Sequence, residues 1–156
     1  MNTSELKQLI DACFLAKRIV ETLPELPSGM KPRHIHVLDA IYEIRQRQQE
    51  CRVSDVCRRL NITMPSITKL IQELENRGLL KKYQHPQDKR VILLNLTDEG
   101  LACVKRHVLD FHGRWARELQ DIDSRQVAET ISLIKKLQNT MPGIEDTAKP
   151  GRINDK

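Results

Sequence analysis

Between Val53 and Gly100 the chain runs helix, turn, helix and then a basic hairpin. No other feature constrains the fold as much, because this order builds a winged unit that presents one helix to a groove. Val56, Cys57 and Leu60 fall on one face of a short helix, with Ser54 expected as its N-cap. Asn61 follows, and Asn is the non-glycine residue that best accepts the left-handed backbone ending a helix. Thr63 can cap the next helix, and Pro65 is tolerated in its first turn. Ile67, Leu70, Ile71 and Leu74 then recur at i, i+3, i+4 and i+7, a stripe for burial. The opposite side carries Pro65, Lys69, Gln72 and Asn76, flanked by Ser66, Thr68 and Glu73, and is short, polar and not acidic. Gly78 ends the helix. Leu79 and Leu80 lead into Lys81-Lys82-Tyr83-Gln84, and a turn over His85 to Lys89 connects this to the strand formers Val91 to Leu96, so the pair reads as a hairpin.

Charge is concentrated in the same place. From Arg45 to Arg90 there are 11 Lys/Arg against 5 Asp/Glu, while the remainder carries 15 basic and 16 acidic residues, so this stretch accounts for the whole net charge of +5. A localised basic field beside a groove-sized helix is the electrostatic footprint of a nucleic-acid binder. The 156 residues suffice for one domain, and aromatics make up only 3%, with Leu, Ile and Val at helical spacing, so the expected class is mainly α. No apolar run approaches a bilayer span and the start does not resemble a signal peptide, so the expected address is the cytoplasm. Cys13, Cys51, Cys57 and Cys103 lack any C-x-x-C pair and read as reduced thiols rather than a zinc ribbon or disulfide framework.

Outside the winged stretch, Leu6, Leu9, Ile10, Cys13, Phe14, Lys17 and Val20 predict an amphipathic helix over 4–22. A loop with Pro24, Pro27, Gly29 and Pro32 breaks it. Pro32 suits the first turn of a second helix carrying Ile35, Leu38, Ile41, Tyr42 and Arg45. Thr97, with Asp98 and Glu99 inside, caps a long fifth helix striped by Leu101, Val104, Val108, Phe111, Trp115 and Leu119. Asp123 with Gln126 opens a sixth helix through Val127, Ile131, Ile134 and Leu137, and residues 142–156 are expected to be a disordered tail.

Arg77-Gly78-Leu79-Leu80, Asp88-Lys89-Arg90, Leu96-Thr97 and Gly100 resemble the MarR family of bacterial winged-helix regulators. The resemblance covers helix order and length from Ser4 to Met141. It implies one domain over 1–141, with a winged DNA-binding unit at 32–100 and dimerisation helices at 4–22 and 98–141. It further implies a homodimer on a near-palindromic operator in double-stranded DNA, acting as a repressor released by a small-molecule effector. The helix from Met64 to Arg77 corresponds to the recognition helix, making Met64, Pro65, Ser66, Thr68, Lys69 and Gln72 the candidates for major-groove contact. Arg90 matches the wing arginine that enters the minor groove, with Asp88 holding its guanidinium. Arg77, Lys81, Lys82 and Lys89 are then phosphate contacts. Cys57 and Asn61 depart from the Ala and Gly more usual in the family, which bears on the packing of the turn.

The effector is less legible. Cys13-Phe14-Leu15 resembles the reactive cysteine of the family's organic-peroxide-sensing branch, so a thiol redox regulator stands as an alternative. Against it, Cys13 falls on the apolar stripe of its helix, where a buried thiol is inert. His34, His36, His107 and His112 are expected to be surface histidines: His107 and His112 are five residues apart and do not share a helix face, so no metal is expected. Phe14, Phe111 and Trp115 suit a ligand wall or simply core, and no cofactor site is assigned. A winged protein-interaction module binding an acidic partner is the remaining alternative. There is no Gly-rich phosphate loop and no nucleophile arrangement, so no enzyme is expected.

Overall fold

A computed structural model describes residues 1–140, so the expected tail at 142–156 lies outside the described residues. The element order is α1 (Thr3–Glu21), α2 (Pro32–Arg47), α3 (Val53–Leu60), α4 (Met64–Asn76), β1 (Leu80–Gln84), β2 (Ile92–Leu96), α5 (Asp98–Val104), a π-helical turn (Lys105–Leu109), α6 (Asp110–Glu118) and α7 (Ser124–Thr140). The chain divides into two units, Met1–Trp115 and a second that begins at Ala116. Among the described residues no helix is long and apolar enough to cross a membrane.

The core of the first unit is built around α2, which buries Ile35, Val37, Leu38, Ala40 and Ile41. The α4 stripe meets it as its spacing requires, with Ile67, Leu70, Ile71 and Leu74 all buried. Val56 of α3, Leu80 of β1, Leu94 of β2, and Val104 and Val108 further on complete the cluster. Each such aliphatic side chain contributes about 1.5–3 kcal/mol on burial, which fixes the tilt of α4 on its scaffold.

The turns follow local chemistry. Asn61 takes the left-handed conformation at φ 51°, ψ 49°, and ends α3 so that α4 can start three residues later. Pro32 occupies the first turn of α2. β1 and β2 pair antiparallel with Leu80 opposite Leu96 and Gln84 opposite Ile92. The hairpin is tied to the segment before α3 by an isolated bridge between Arg52 and Leu93 and by the Leu94 N–H donating to the Cys51 carbonyl at 2.8 Å.

The Leu-Thr-x-x-Gly motif has a structural reason. The Thr97 hydroxyl accepts the Gly100 N–H at 3.0 Å and donates to the Gly78 carbonyl at 2.6 Å, joining the end of α4 to the start of α5. A Cβ on Gly100 would overlap the Leu79 carbonyl oxygen, so only glycine permits this approach.

Several expectations need correction. Ser54 is not the cap of α3: the helix starts at Val53, and the Asp55 carboxylate accepts the Arg52 N–H at 3.0 Å, which a hydroxyl at position 54 is too near to do. Thr63 stands at the α4 N-cap without a side-chain cap bond, its hydroxyl donating instead to Ser66 Oγ at 3.0 Å. The fifth helix is interrupted by the π-helical turn, a local widening that the apolar spacing did not reveal.

The surface reading of histidines fails for His34 and His107, which are 2% and 3% exposed. His34 is the N3 residue of α2, where its Nδ1 accepts the Lys31 N–H at 3.0 Å and its Nε2 meets Glu73 at 2.7 Å. His107 stands three residues past Val104 and beside Val108, hence on the inward side, and its Nδ1 has no hydrogen-bond partner among the described residues. His112 is exposed, so the two do separate as expected. Finally, α1 buries nothing, so Cys13 is half-buried rather than sealed under an apolar stripe.

Candidate nucleic-acid interface

Met64, Pro65, Ser66, Thr68, Lys69 and Gln72 all stand exposed on α4, opposite the stripe that seats it on the core. Their freedom differs. The Thr68 hydroxyl donates to the Met64 carbonyl at 2.8 Å, the common back-bond of a helical threonine. Gln72 is occupied at both ends: its Nε2 donates to Asn76 Oδ1 and its Oε1 accepts from Lys82 Nζ, each at 2.9 Å. Pro65 and Lys69 therefore form the open part of the face, with Ser66, whose Oγ accepts from the Thr63 hydroxyl, and Met64, whose Sδ lies 3.2 Å from Cys57 Sγ across the turn. The Cys57 departure thus makes a direct contact with the start of α4.

The hairpin supplies the second element. Arg90 is 91% exposed, and Asp88 receives its Nε at 3.1 Å, its Nη2 at 3.4 Å and its backbone N–H at 3.1 Å. These bonds hold the Asp88 carboxyl below the usual carboxylate range, the Arg90 guanidinium first and its backbone N–H second. An exposed ion pair adds little stability, so its consequence is direction: a cation held outward by a short acidic neighbour. Arg90, Lys82, Thr68, Met64, Arg52 and Ser54 share the walls of one groove of about 510 Å³ between α4 and the hairpin. Lys89 and Lys81 are exposed, and neither has a salt bridge among the described residues.

Two expected phosphate contacts are engaged elsewhere in the chain. Lys82 pairs with Glu75 at 2.7 Å and is hydrogen-bonded to Gln72, joining β1 to α4; this pairing holds the Glu75 carboxyl low. Arg77 reaches back to the loop before α2, where its Nη1 donates to the Ser28 carbonyl at 3.2 Å. A Cβ on Gly29 would fall 2.6 Å from its Nη2, so the guanidinium lies over that glycine.

Residues the sequence did not single out also hold the interface. The His34–Glu73 bond ties the N-terminus of α2 to the middle of α4 and holds the Glu73 carboxyl below its ordinary value. His85 does the corresponding work for the hairpin, with Nε2 at 3.2 Å from Glu50. Their partners are far away in sequence, so spacing carried no signal. Burial pushes the Cys51 thiol up to about 12 and raises Cys57 and Cys103 as well, which keeps these thiols protonated and unreactive at neutral pH. Among the described residues there is no group of three or more His, Cys, Asp or Glu that could hold a metal ion.

Comparison with known proteins agrees with this fold. The sequence profile of the MarR family matches residues 28–91, from the loop before α2 to the end of the hairpin turn. The HTH-type transcriptional repressor MdtR of Bacillus subtilis is 29% identical over 109 residues, 70% of this chain and 68% of its own length. Among solved structures, the PcaV transcriptional regulator from Streptomyces coelicolor, in complex with its natural ligand, is 25% identical with TM-score 0.60, covering 86% of this chain and 89% of that one. Streptococcus pneumoniae FabT in complex with DNA superposes with TM-score 0.65 at 18% identity, over 88% of this chain and 96% of that one, and shows the same fold. The comparisons give no support to the thiol redox alternative at Cys13. With its helix-turn-helix, its Asp-Lys-Arg hairpin and these relatives, the chain is similar over residues 28–91 to the MarR family of winged helix-turn-helix transcriptional regulators.

Proposed function

We propose that the chain acts as a homodimer on a near-palindromic operator, placing α4 in the major groove and Arg90 in the adjoining minor groove, and that it is a repressor released by a small molecule. The observation that carries this reading is the Asp88–Arg90 pair, which holds an almost fully exposed guanidinium at the groove wall shared with α4. A guanidinium so held suits the narrow, strongly negative minor groove of A·T-rich DNA. Pro65, Ser66 and Lys69 meet base edges, and Lys81 and Lys89 meet phosphates. Two amphipathic helices, α1 and α7, which bury no residue among the described residues, support the dimer. The repressor and effector parts rest on what MdtR and the ligand-bound PcaV structure are described as. A ligand that alters the separation of the two α4 helices would cost binding to successive major grooves.

The test is selection of duplexes from a randomised pool by the full-length protein at physiological salt, followed by salt titration with variants. Arg90→Ala should weaken binding and relax A·T preference, while Lys89→Ala should weaken all sequences alike and lower the salt slope by about one. An unenriched pool with only salt-sensitive bulk binding would overturn the reading, and would favour the protein-interaction alternative.

A further inference from the structure

The turn that carries Arg90 is shaped by a side chain rather than by its own backbone ladder. β1 ends at Gln84 and β2 begins at Ile92, and the backbone bonds between them are His85 N–H to the Val91 carbonyl and Val91 N–H to the Asp88 carbonyl, both 2.9 Å. Inside that loop the His85 imidazole, 13% exposed, makes contacts on two sides. Its Nδ1 faces the backbone N–H groups of Gln87 at 3.2 Å and Asp88 at 3.3 Å. Two donors aimed at one ring nitrogen require that nitrogen to be the bare acceptor, so Nε2 carries the proton and faces Glu50 Oε1 at 3.2 Å. Glu50 is itself placed by Arg52 at 3.7 Å, whose backbone bridges Leu93 of the hairpin.

We infer that His85 is the positioning residue for the wing: one ring nitrogen shapes the turn that orients Asp88 and Arg90, and the other tethers that turn to the segment before α3. This rests on reading Arg90 as the DNA-entering residue. His85 acts through Asp88, whose backbone it holds and whose carboxylate receives both the main-chain and the guanidinium N–H of Arg90. The two roles can be separated chemically. Asparagine at position 85 offers an oxygen to the N–H two residues on, the ordinary Asx turn, but is too short to reach Glu50. Glutamine can reach toward Glu50 with its amide, but does not present an acceptor to the turn.

The experiment uses the full-length protein and two probes: a duplex enriched from a random pool, and the same duplex with its wing-facing A·T pairs replaced by G·C. It also follows amide hydrogen exchange at Gln87 and Asp88 without DNA. His85→Ala and His85→Gln should lose protection at those amides and about tenfold in preference for the A·T duplex, the size of one charge-assisted hydrogen bond and as large as the loss in Arg90→Ala. His85→Asn should stay within about twofold of the parent, because it restores the turn acceptor. His85→Ala combined with Arg90→Ala should be no worse than Arg90→Ala alone, since one acts through the other. Undiminished protection and preference in His85→Ala, or losses that multiply in the double variant, would overturn the inference. If Arg90→Ala itself leaves preference unchanged, the minor-groove reading fails, and exchange at Gln87 and Asp88 still decides whether His85 shapes the turn.

Discussion

α1 and α2 are amphipathic helices of 19 and 16 residues, yet α2 buries six of its side chains and α1 buries none. The contrast repeats in α4, with four buried residues, and α7, with none among seventeen. Phe14 remains 66% exposed and Ile131 48%, whereas Ile67 and Leu94 are fully covered. An apolar stripe states which face of a helix is to be removed from water; it does not state whose atoms will cover it. In the winged unit the same chain supplies the cover, while among the described residues α1 and α7 bury none of their stripes, as expected of surfaces that meet a second copy.

The largest test of this contrast is truncation in the winged core. Leu94→Ala or Ile67→Ala should cost about 3–4 kcal/mol of unfolding free energy by denaturant titration, a loss that does not change with protein concentration. Ile131→Ala should instead cost more as the protein is diluted, and a loss equal to that of Leu94→Ala at every concentration would break the comparison. A sharper version charges the stripes. Phe14→Asp together with Ile131→Asp should weaken dimerisation about a hundredfold in sedimentation equilibrium, roughly 3 kcal/mol, while the hydrogen exchange of the α2 and α4 amides is retained.

A smaller effect comes from histidines inside the first unit. His36 is held below its ordinary value mainly by burial, opposed by Asp39 and Glu21 and aided by His112, and His107 is lowered by burial and by Arg106. Each binds its proton more readily in the unfolded chain, so unfolding takes up protons below about 6.5 and stability falls as pH drops through that region. Melting temperature should therefore decline from pH 7.5 to 5.5, and His107→Leu should flatten part of the decline. The smallest expected effect is at Arg77. Its removal loses one exposed bond to Ser28, and Arg77→Ala should cost about 1 kcal/mol or less by thermal melting.

The local features of the fold were legible in the sequence. The α4 stripe, the left-handed Asn61, the Thr97 cap and the Asp88–Arg90 pair depend on residues within a few positions of each other, where spacing alone sets geometry. The candidate set on α4 was legible as an exposed face for the same reason, as the polar side of a helix whose apolar side was evident. What escaped were pairings across the chain. His34 looked like a surface residue because its partner Glu73 is 39 residues away, and Lys82 looked free because nothing in its own strand foretold Glu75 and Gln72.

The sequence by itself determined that there is a helix-turn-helix with a basic hairpin, which face of α4 is polar, and that the acidic and basic residues of the hairpin stand two apart. Backbone preference, helical period and charge are properties of neighbouring residues, and neighbours are written in order. Only the tertiary structure decided which of the basic residues are engaged, that His85 and His34 meet Glu50 and Glu73, and that α1 and α7 bury no side chain among the described residues. Those outcomes depend on distances between segments that meet only after the core around α2 has closed.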